Sequence, residues 1–338
     1  MENHPDRILI LKYRALGDSL IGLGTVQYLK SLYPASEIIY GVPAWVAPLY
    51  RNVTGAFDKI LPLDLENVTG WIKTWQQIAK LHPGLIYEMF QSGRTEKFFS
   101  IYSRVKGVPY SFHNHHQKAP GKILDQGIIK PVIQRDLDGV FSLLTDRQQP
   151  CPSYLDFCPQ LKISGGPKKQ RLIFGVVATR MTKMWPLENY VALAQKMIRT
   201  FPACKIAIPL STSAADLEIK NRLHALQISG EVEIINLSLQ DLPEYFAASS
   251  AYIGNDTGLK HLAVAVGLPT WTFFGPEPPM EWHPYDNKKH AFFFLDPLAC
   301  RTQTAHYCGL STCESMVCLK TFSVDDVLTC VKQLFSSL

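Results

Sequence analysis

Three short stretches of the chain combine charged, hydroxyl and glycine residues beside apolar runs. They are Ala-Leu-Gly-Asp-Ser at 15–19, Thr-Arg-Met-Thr-Lys-Met-Trp-Pro at 179–186, and Asn-Asp-Thr-Gly-Leu-Lys-His at 255–261. Each follows a run with the composition of a buried strand and leads into a run with helical periodicity. In α/β proteins ligands bind at such positions, because the carboxyl ends of strands and the N-termini of helices meet there.

The stretch at 255–261 is suited to an anion. The first N–H groups of a helix have no partners inside it, and the helix dipole adds positive potential. Gly258 would let a phosphate approach closely, and Thr257 could add a hydroxyl donor. Lys260 and His261, one turn further on, could add charge and hydrogen bonds. The plainer alternative makes Asp256 a helix N-cap that pairs with Lys260 four residues later.

The other two stretches contain groups that a transfer reaction needs. Asp18, at a predicted helix start, could take a proton from an attacking hydroxyl. Arg180 and Lys183, in a loop before a predicted helix, could stabilise a leaving diphosphate. The simpler alternatives are an N-cap for Asp18 and two exposed basic side chains for Arg180 and Lys183.

The elements around these stretches predict an α/β fold. A buried strand at 7–12, a helix ending at Pro34 and a strand at 37–41 begin an alternation typical of parallel sheets with crossover helices. The segment at 161–170, with two glycines, a proline and three lysines, has linker composition, and the alternation restarts after it. We therefore expect two doubly wound domains, 1–163 and 164–322, that face a cleft, followed by a last helix within 323–338.

Composition narrows the class of protein. With 338 residues, 46% hydrophobic and 19% charged, the chain is typical of a globular protein, and no stretch reaches the length of a membrane-spanning helix. The acidic N-terminus is not a signal peptide, so a cytoplasmic location is expected. The net charge of +5 suits anionic substrates or a peripheral encounter with an anionic membrane, and no basic run indicates nucleic acid.

Residue spacing disfavours three kinds of site: a dinucleotide fingerprint, a P-loop and a structural zinc site. A dinucleotide fingerprint would need G-x-G-x-x-G in the first turn, where Gly17 stands alone and Gln27 occupies the place of the third glycine. The P-loop pattern is absent as well. No metal is predicted, since the gaps of seven, four and four residues between cysteines do not match structural zinc sites, and a loop is the simpler interpretation of the three histidines. These residues are Cys300, Cys308, Cys313, Cys318, His113, His115 and His116.

Together the motifs resemble glycosyltransferase family 9, the ADP-heptose:lipopolysaccharide heptosyltransferases. The resemblance is carried by Gly-Asp at 17–18, K-x-W-P at 183–186 and N-D-T-G-x-x-H-L-A-x-A-x-G-x-P at 255–269, with Phe-Gly-Pro at 274–276 and Trp-His-Pro-Tyr at 282–285. It extends through almost the whole chain, and the D-T-G-x-x-H block is its most specific part.

The resemblance implies a GT-B fold, with two Rossmann-like domains and a final helix that crosses back to the first domain. It implies an inverting, metal-independent transfer of heptose from ADP-heptose to lipopolysaccharide core or a similar glycolipid, at the cytoplasmic face of the inner membrane. By position, Asp18 is the general base and Lys183 faces the departing diphosphate. Residues 256–258 and His261 fall where the family binds the sugar nucleotide. No cofactor is implied.

Two other functions stay open at the level of sequence. A nucleotide-sugar epimerase can share a two-domain architecture of this kind, and it would isomerise the donor alone. A non-catalytic sugar-nucleotide-binding protein could keep the block at 255–258, although the presence of Asp18 and Lys183 argues against it.

Overall fold

The computed structural model describes residues 5–112, 118–119, 122–123, 130–145, 150–163, 169–300, 308, 310 and 312–335. The chain divides into two compact units, residues 1–163 with His283–Tyr285, and residues 164–282 with 286–338. The histidines at 113, 115 and 116 lie outside the described residues.

The first unit contains a five-stranded parallel sheet and a short antiparallel pair. Its strands are β1 (Arg7–Leu11), β2 (Glu37–Pro43), β3 (Lys59–Leu63), β4 (Leu85–Glu88), β5 (Tyr110–Phe112), β6 (Lys118–Ala119) and β7 (Lys122–Ile123). Its helices are α1 (Leu16–Leu32), α2 (Val68–Leu81), α3 (Gly93–Lys106) and α4 (Val132–Leu144), with 3-10 turns at Ala47–Tyr50 and Tyr154–Phe157.

The strand order β3-β2-β1-β4-β5 reverses direction at β1 and β4. Such an order places crossover helices on both faces of the sheet. Leu9 and Leu11 of β1 belong to a core cluster with Ile78 of α2 and Phe98 of α3, so α2 and α3 cover that face, and α1 packs with α4. This is the doubly wound arrangement that the sequence predicts.

The second unit has a six-stranded parallel sheet of order β10-β9-β8-β11-β12-β13. Its strands are β8 (Arg171–Gly175), β9 (Lys205–Pro209), β10 (Val232–Ile235), β11 (Ala251–Asn255), β12 (Thr270–Phe274) and β13 (His290–Phe294). Its helices are α5 (Leu187–Thr200), α6 (Ala214–Ala225), α7 (Leu242–Ala247), α8 (Gly258–Ala265), α9 (Pro279–Trp282), α10 (Val317–Lys320) and α11 (Val324–Phe335), with a 3-10 turn at Met181–Lys183. The reversal of strand order falls between β8 and β11, next to two of the predicted site stretches.

The last helix, α11, packs within the second unit. Val327, Leu328 and Val331 join the same hydrophobic core as β8, β9 and α5. The amphipathic pattern of α11 is satisfied by this packing, because its apolar stripe covers α5. A return of residues 323–338 to the first domain stays a prediction.

Among the described residues no helix has both the length and the apolar composition that crossing a bilayer requires.

Candidate functional site

The block at 255–261 joins the end of β11 to the start of α8. Thr257 is the N-cap residue, with extended backbone angles and no side-chain capping bond, and α8 begins at Gly258. The amides of Lys260 and His261 donate to the Thr257 carbonyl, so those of Gly258 and Leu259 precede the first helical hydrogen bond and are directed out of the helix N-terminus. The predicted junction of strand and helix is confirmed.

Asp256 precedes the N-cap and is the centre of an ion-pair cluster. Its carboxylate accepts from Lys183 Nζ at 2.8 Å and from Lys260 Nζ at 2.5 Å. His261 Nε2 lies 4.0 Å from the same carboxylate. Burial raises the pKa of Asp256, but the charges of Lys260, Lys183 and His261 outweigh it and hold the pKa well below its usual range. Because Thr257 is the N-cap of α8, the N-cap alternative for Asp256 is wrong, whereas the pair of Asp256 with Lys260 is confirmed.

The two lysines of this cluster differ in access. The Lys260 side chain is 0% exposed, donates to the Trp282 carbonyl at 2.8 Å, and lies 4.8 Å from the centre of the Phe274 ring. Burial lowers the pKa of Lys260 to about 8, with Asp256 opposing the shift. Lys183 is 16% exposed. Lys183 can therefore reach a ligand, and Lys260 acts from beneath, as a charge that fixes Asp256.

Lys183 ends a 3-10 turn that neighbouring contacts hold in place. The buried Thr182 hydroxyl donates to the Leu310 carbonyl at 2.7 Å. A Cβ on Gly275 would lie 2.7 Å from the Thr182 carbonyl oxygen, so only glycine allows the loop after β12 to approach this closely. The 3-10 turn and the Phe-Gly-Pro segment at 274–276 are therefore packed directly against each other.

Trp185 and Asn255 hold the 3-10 turn at Met181–Lys183 against the end of β11. The Trp185 ring is fully buried and stacks on Phe273 at 4.4 Å between centroids. Asn255 Oδ1 accepts from the Trp185 amide at 2.9 Å and from the Tyr190 hydroxyl at 3.1 Å, and Asn255 Nδ2 donates to the Val176 carbonyl at 2.8 Å. Asn255 therefore joins the segment around Trp185 to the end of β11, while the Trp185 indole fills the core and donates to the Phe322 carbonyl at 3.1 Å.

Arg180 lies just before the same turn and pairs with Glu277. Arg180 Nη2 donates to Glu277 Oε1, and Arg180 Nη1 contacts the Leu310 carbonyl at 3.4 Å. Glu277 Oε2 lies 3.8 Å from Lys183 Nζ. Sequence reasoning missed Glu277, although it directly follows the Phe-Gly-Pro motif. The Glu277 carboxylate offsets the charges of Arg180 and Lys183, which an anionic ligand could otherwise bind.

We expect Asp256→Asn to destabilise the second unit by about 3–5 kcal/mol, because two ammonium groups lose their buried counter-charge. Chemical unfolding would measure this, and Asp325→Asn is the control. Asp325 is 74% exposed and pairs with Lys196 at 2.5 Å, so its loss should cost less than about 1 kcal/mol. Equal effects of the two substitutions would contradict the assignment.

The contribution of Asp256 to the stability of the second unit should depend on pH. Because the folded-state pKa of Asp256 is depressed, its contribution is present above the unfolded carboxyl pKa of about 3.9 and is lost as pH falls below that value. The difference in Tm between wild type and Asp256→Asn should therefore stay constant from neutral pH down to about pH 4 and shrink below it. A gap that does not change with pH would contradict this interpretation.

Asp18 occupies the first turn of α1 at the carboxyl end of β1. The helix begins at Leu16, so Asp18 is its third residue, and Ala15 is the N-cap. The N-cap alternative for Asp18 is wrong. Its side chain is half-buried, and a carboxylate in the first turn is favoured by the helix dipole. The position leaves the carboxylate able to meet a ligand at this edge of the sheet.

A buried ion pair supports the start of α1, and sequence reasoning missed it. Lys12 Nζ donates to Asp136 Oδ2 of α4, and the two side chains are 4% and 2% exposed. A Cβ on Gly22 would lie 3.2 Å from Lys12 Cδ and 2.5 Å from the Tyr40 hydroxyl. The lysine therefore runs beneath α1, one turn beyond Asp18, and joins β1 to α4.

We expect Lys12→Met and Asp136→Leu each to destabilise the first unit by about 3–5 kcal/mol, since each removes one partner of a buried ion pair. The two losses should not add in the double variant, because the second substitution removes a charge whose partner in the pair is already gone. A double-mutant cycle measured by chemical unfolding checks this. Lys59→Met is the control, because Lys59 is 53% exposed. Additive losses would show that the two residues do not act as a pair.

Metal-ligating side chains are not grouped in the described part of the chain, where no three His, Cys, Asp or Glu residues could hold an ion together. Cys300, Cys308, Cys313 and Cys318, all among the described residues, are not joined in disulfides. Cys313 Sγ accepts from the Met316 amide at 3.3 Å.

The amino-acid sequence is similar to one family of known proteins. The model of glycosyltransferase family 9 (heptosyltransferase) matches residues 134–308. Lipopolysaccharide heptosyltransferase 2 of Salmonella typhimurium is 24% identical over 315 residues, which cover 83% of this chain and 86% of that protein.

Solved structures share the fold over nearly the full length. The E. coli ADP-heptose lps heptosyltransferase II aligns with a TM-score of 0.72 at 19% identity, covering 98% of this chain and 99% of that one. The E. coli heptosyltransferase WaaC with ADP aligns with a TM-score of 0.68 at 16% identity, covering 97% and 99%.

Proposed function

The chain belongs to glycosyltransferase family 9, the heptosyltransferase family, and on that premise we propose that it transfers heptose from ADP-heptose to a lipopolysaccharide core or similar glycolipid. The observation that carries the proposal is the pairing of Lys183 with Asp256 at the N-terminus of α8. Helix amides and a partly exposed ammonium together provide what a diphosphate needs.

The donor site is proposed in the second unit. The amides of Gly258 and Leu259 and the ammonium of Lys183 would bind the diphosphate oxygens. Arg180 would exchange Glu277 for phosphate, since a guanidinium binds either group in a bidentate manner. Thr257 and His261 would contact the donor from the first turn of α8. Lys260 would keep Asp256 in place, because its own side chain is fully buried.

The reaction is proposed as one inverting displacement without a bound metal. The acceptor hydroxyl forms a bond to the anomeric carbon of heptose as the bond from that carbon to the diphosphate oxygen breaks. Asp18 takes the hydroxyl proton, and ADP leaves with its new negative charge opposite Lys183. Asp18 and Lys183 each interact with charge that develops in the transition state. Contacts that are stronger in the transition state than in the ground state accelerate a reaction.

A thermal-shift screen followed by a transfer assay tests this function. ADP-heptose at about 100 times its Kd should stabilise the donor-binding unit by about 2.7 kcal/mol, and UDP- and GDP-sugars should give much smaller shifts. Heptose should then appear on a lipopolysaccharide-core acceptor, together with one ADP for each heptose transferred. Isomerised donor in the absence of acceptor would instead support an epimerase, and binding without transfer would support a non-catalytic protein.

A further inference from the structure

Two helices of the first unit expose an unusual number of large apolar side chains. Val68 and Ile72 of α2 are 75% and 53% exposed, and Ile101 and Val105 of α3 are 52% and 64% exposed. Scattered single residues of this kind are ordinary, but four on two adjacent helices form a patch.

The four residues form one stripe on each helix, with Val68 and Ile72 at the start of α2 and Ile101 and Val105 in the second half of α3. Successive helical residues are about 100° apart, so the stripes 68–72 and 101–105 each run along one side of their helix. Trp71 and Trp75 of α2 pack edge-on against Phe98 of α3 between the two stripes. A cavity of about 360 Å³, lined by Val68, Ile72 and these aromatic rings, opens in the seam.

Basic residues outnumber acidic ones on both helices of the seam. Helix α2 has Lys73 and Lys80 and no acidic residue, and α3 has four basic residues against the single acid Glu96. The two helices thus hold a net charge of +5, equal to the formal charge of the whole chain. The exposed basic side chains are Lys73, Lys80, Arg94, Lys97, Arg104 and Lys106, of which Arg94 pairs with Glu66, just before α2.

We propose that this α2–α3 seam docks the protein on an anionic lipid bilayer. An apolar stripe with lysine and arginine on both sides is the chemistry of a helix that lies in a membrane interface, where apolar side chains enter the acyl boundary and cations meet lipid phosphates. A second copy of the chain is a poorer occupant, because the like charges would be brought together. The inference rests on the proposed function, which provides a membrane-bound acceptor.

The position of the seam in the sheet fits this role. Helices α1, α2 and α3 each follow a strand of the parallel sheet, so all three begin at its carboxyl edge. Val68 and Ile72 are in the first two turns of α2, and Asp18 is in the first turn of α1. A bilayer that contacts the α2 end of the seam therefore lies at the edge of the sheet that carries Asp18, whereas Ile101 and Val105, in the second half of α3, lie further from that edge.

Co-sedimentation of the full chain with lipid vesicles tests the surface. Wild type should bind vesicles of phosphatidylethanolamine with phosphatidylglycerol and not vesicles of phosphatidylcholine, with binding weakened by salt. Ile72→Asp with Val105→Asp should weaken binding about tenfold or more, and Lys73→Ser with Lys97→Ser should weaken it by up to about thirtyfold at low salt. The matched control is Leu217→Asp with Lys220→Ser on α6, where Leu217 is 46% exposed.

Transfer to a delipidated, soluble acceptor separates this inference from the proposed function. The seam variants should keep their Tm and their transfer to that acceptor, and should lose transfer only to vesicle-embedded acceptor. Equal binding to both vesicle types, or no loss in the seam variants, would overturn the docking surface while leaving the activity intact. A concentration-dependent dimer that the Asp substitutions disrupt would also overturn it. Vesicle binding without any transfer would instead refute the proposed function.

Discussion

Replacing Asp18 with asparagine should lower kcat by about 10²–10⁴-fold, because the amide cannot take the proton from the acceptor hydroxyl. The substitution keeps the shape of the side chain at the third position of α1, so the fold should be maintained. Affinity for ADP should be unchanged, since the proposed donor contacts belong to the second unit. Steady-state transfer with calorimetric binding of ADP measures both quantities.

The control for this experiment is Asp156→Asn. Asp156 is an exposed residue of the same unit, in the 3-10 turn at Tyr154–Phe157, and the same change of charge there should leave turnover intact. If Asp18→Asn kept more than about a tenth of the wild-type kcat, another group would have to be the base.

Replacing Lys183 with methionine should lower kcat by about 10²–10³-fold. The ammonium meets charge that grows on the leaving diphosphate, so the loss should fall more on kcat than on the Kd of the donor. Stability should change less than in Asp256→Asn, because Asp256 keeps its bond to Lys260 when Lys183 is removed. Transfer kinetics and donor binding, measured side by side with unfolding, distinguish these effects.

Lys196→Met is the matched control in the same unit, since Lys196 is 41% exposed and pairs with Asp325. The variant should transfer heptose at the wild-type rate. If Lys183→Met raised the donor Kd and left kcat unchanged, Lys183 would be a binding residue without a role in leaving-group departure.

Local patterns in the sequence were sufficient for the elements and for contacts within one turn. The strand at β11, the start of α8 and the pair Asp256–Lys260 all follow from periodicity and from the four-residue spacing of a helix face. The doubly wound class follows from the alternation of strands and helices. Helix α4 was missed, although Val132, Ile133, Leu137 and Val140 recur at helical spacing.

Contacts between distant residues were decided by tertiary structure alone. Lys183 reaches Asp256 across 73 positions because β8 and β11 are neighbours at the reversal of strand order, and Lys12 meets Asp136 across 124 positions because α1 packs on α4. The burial of Lys260 has the same origin, since Phe274 and Trp282 enclose it. Helical spacing is a property of the local backbone, whereas strand order and helix packing depend on how the whole chain buries its apolar surface.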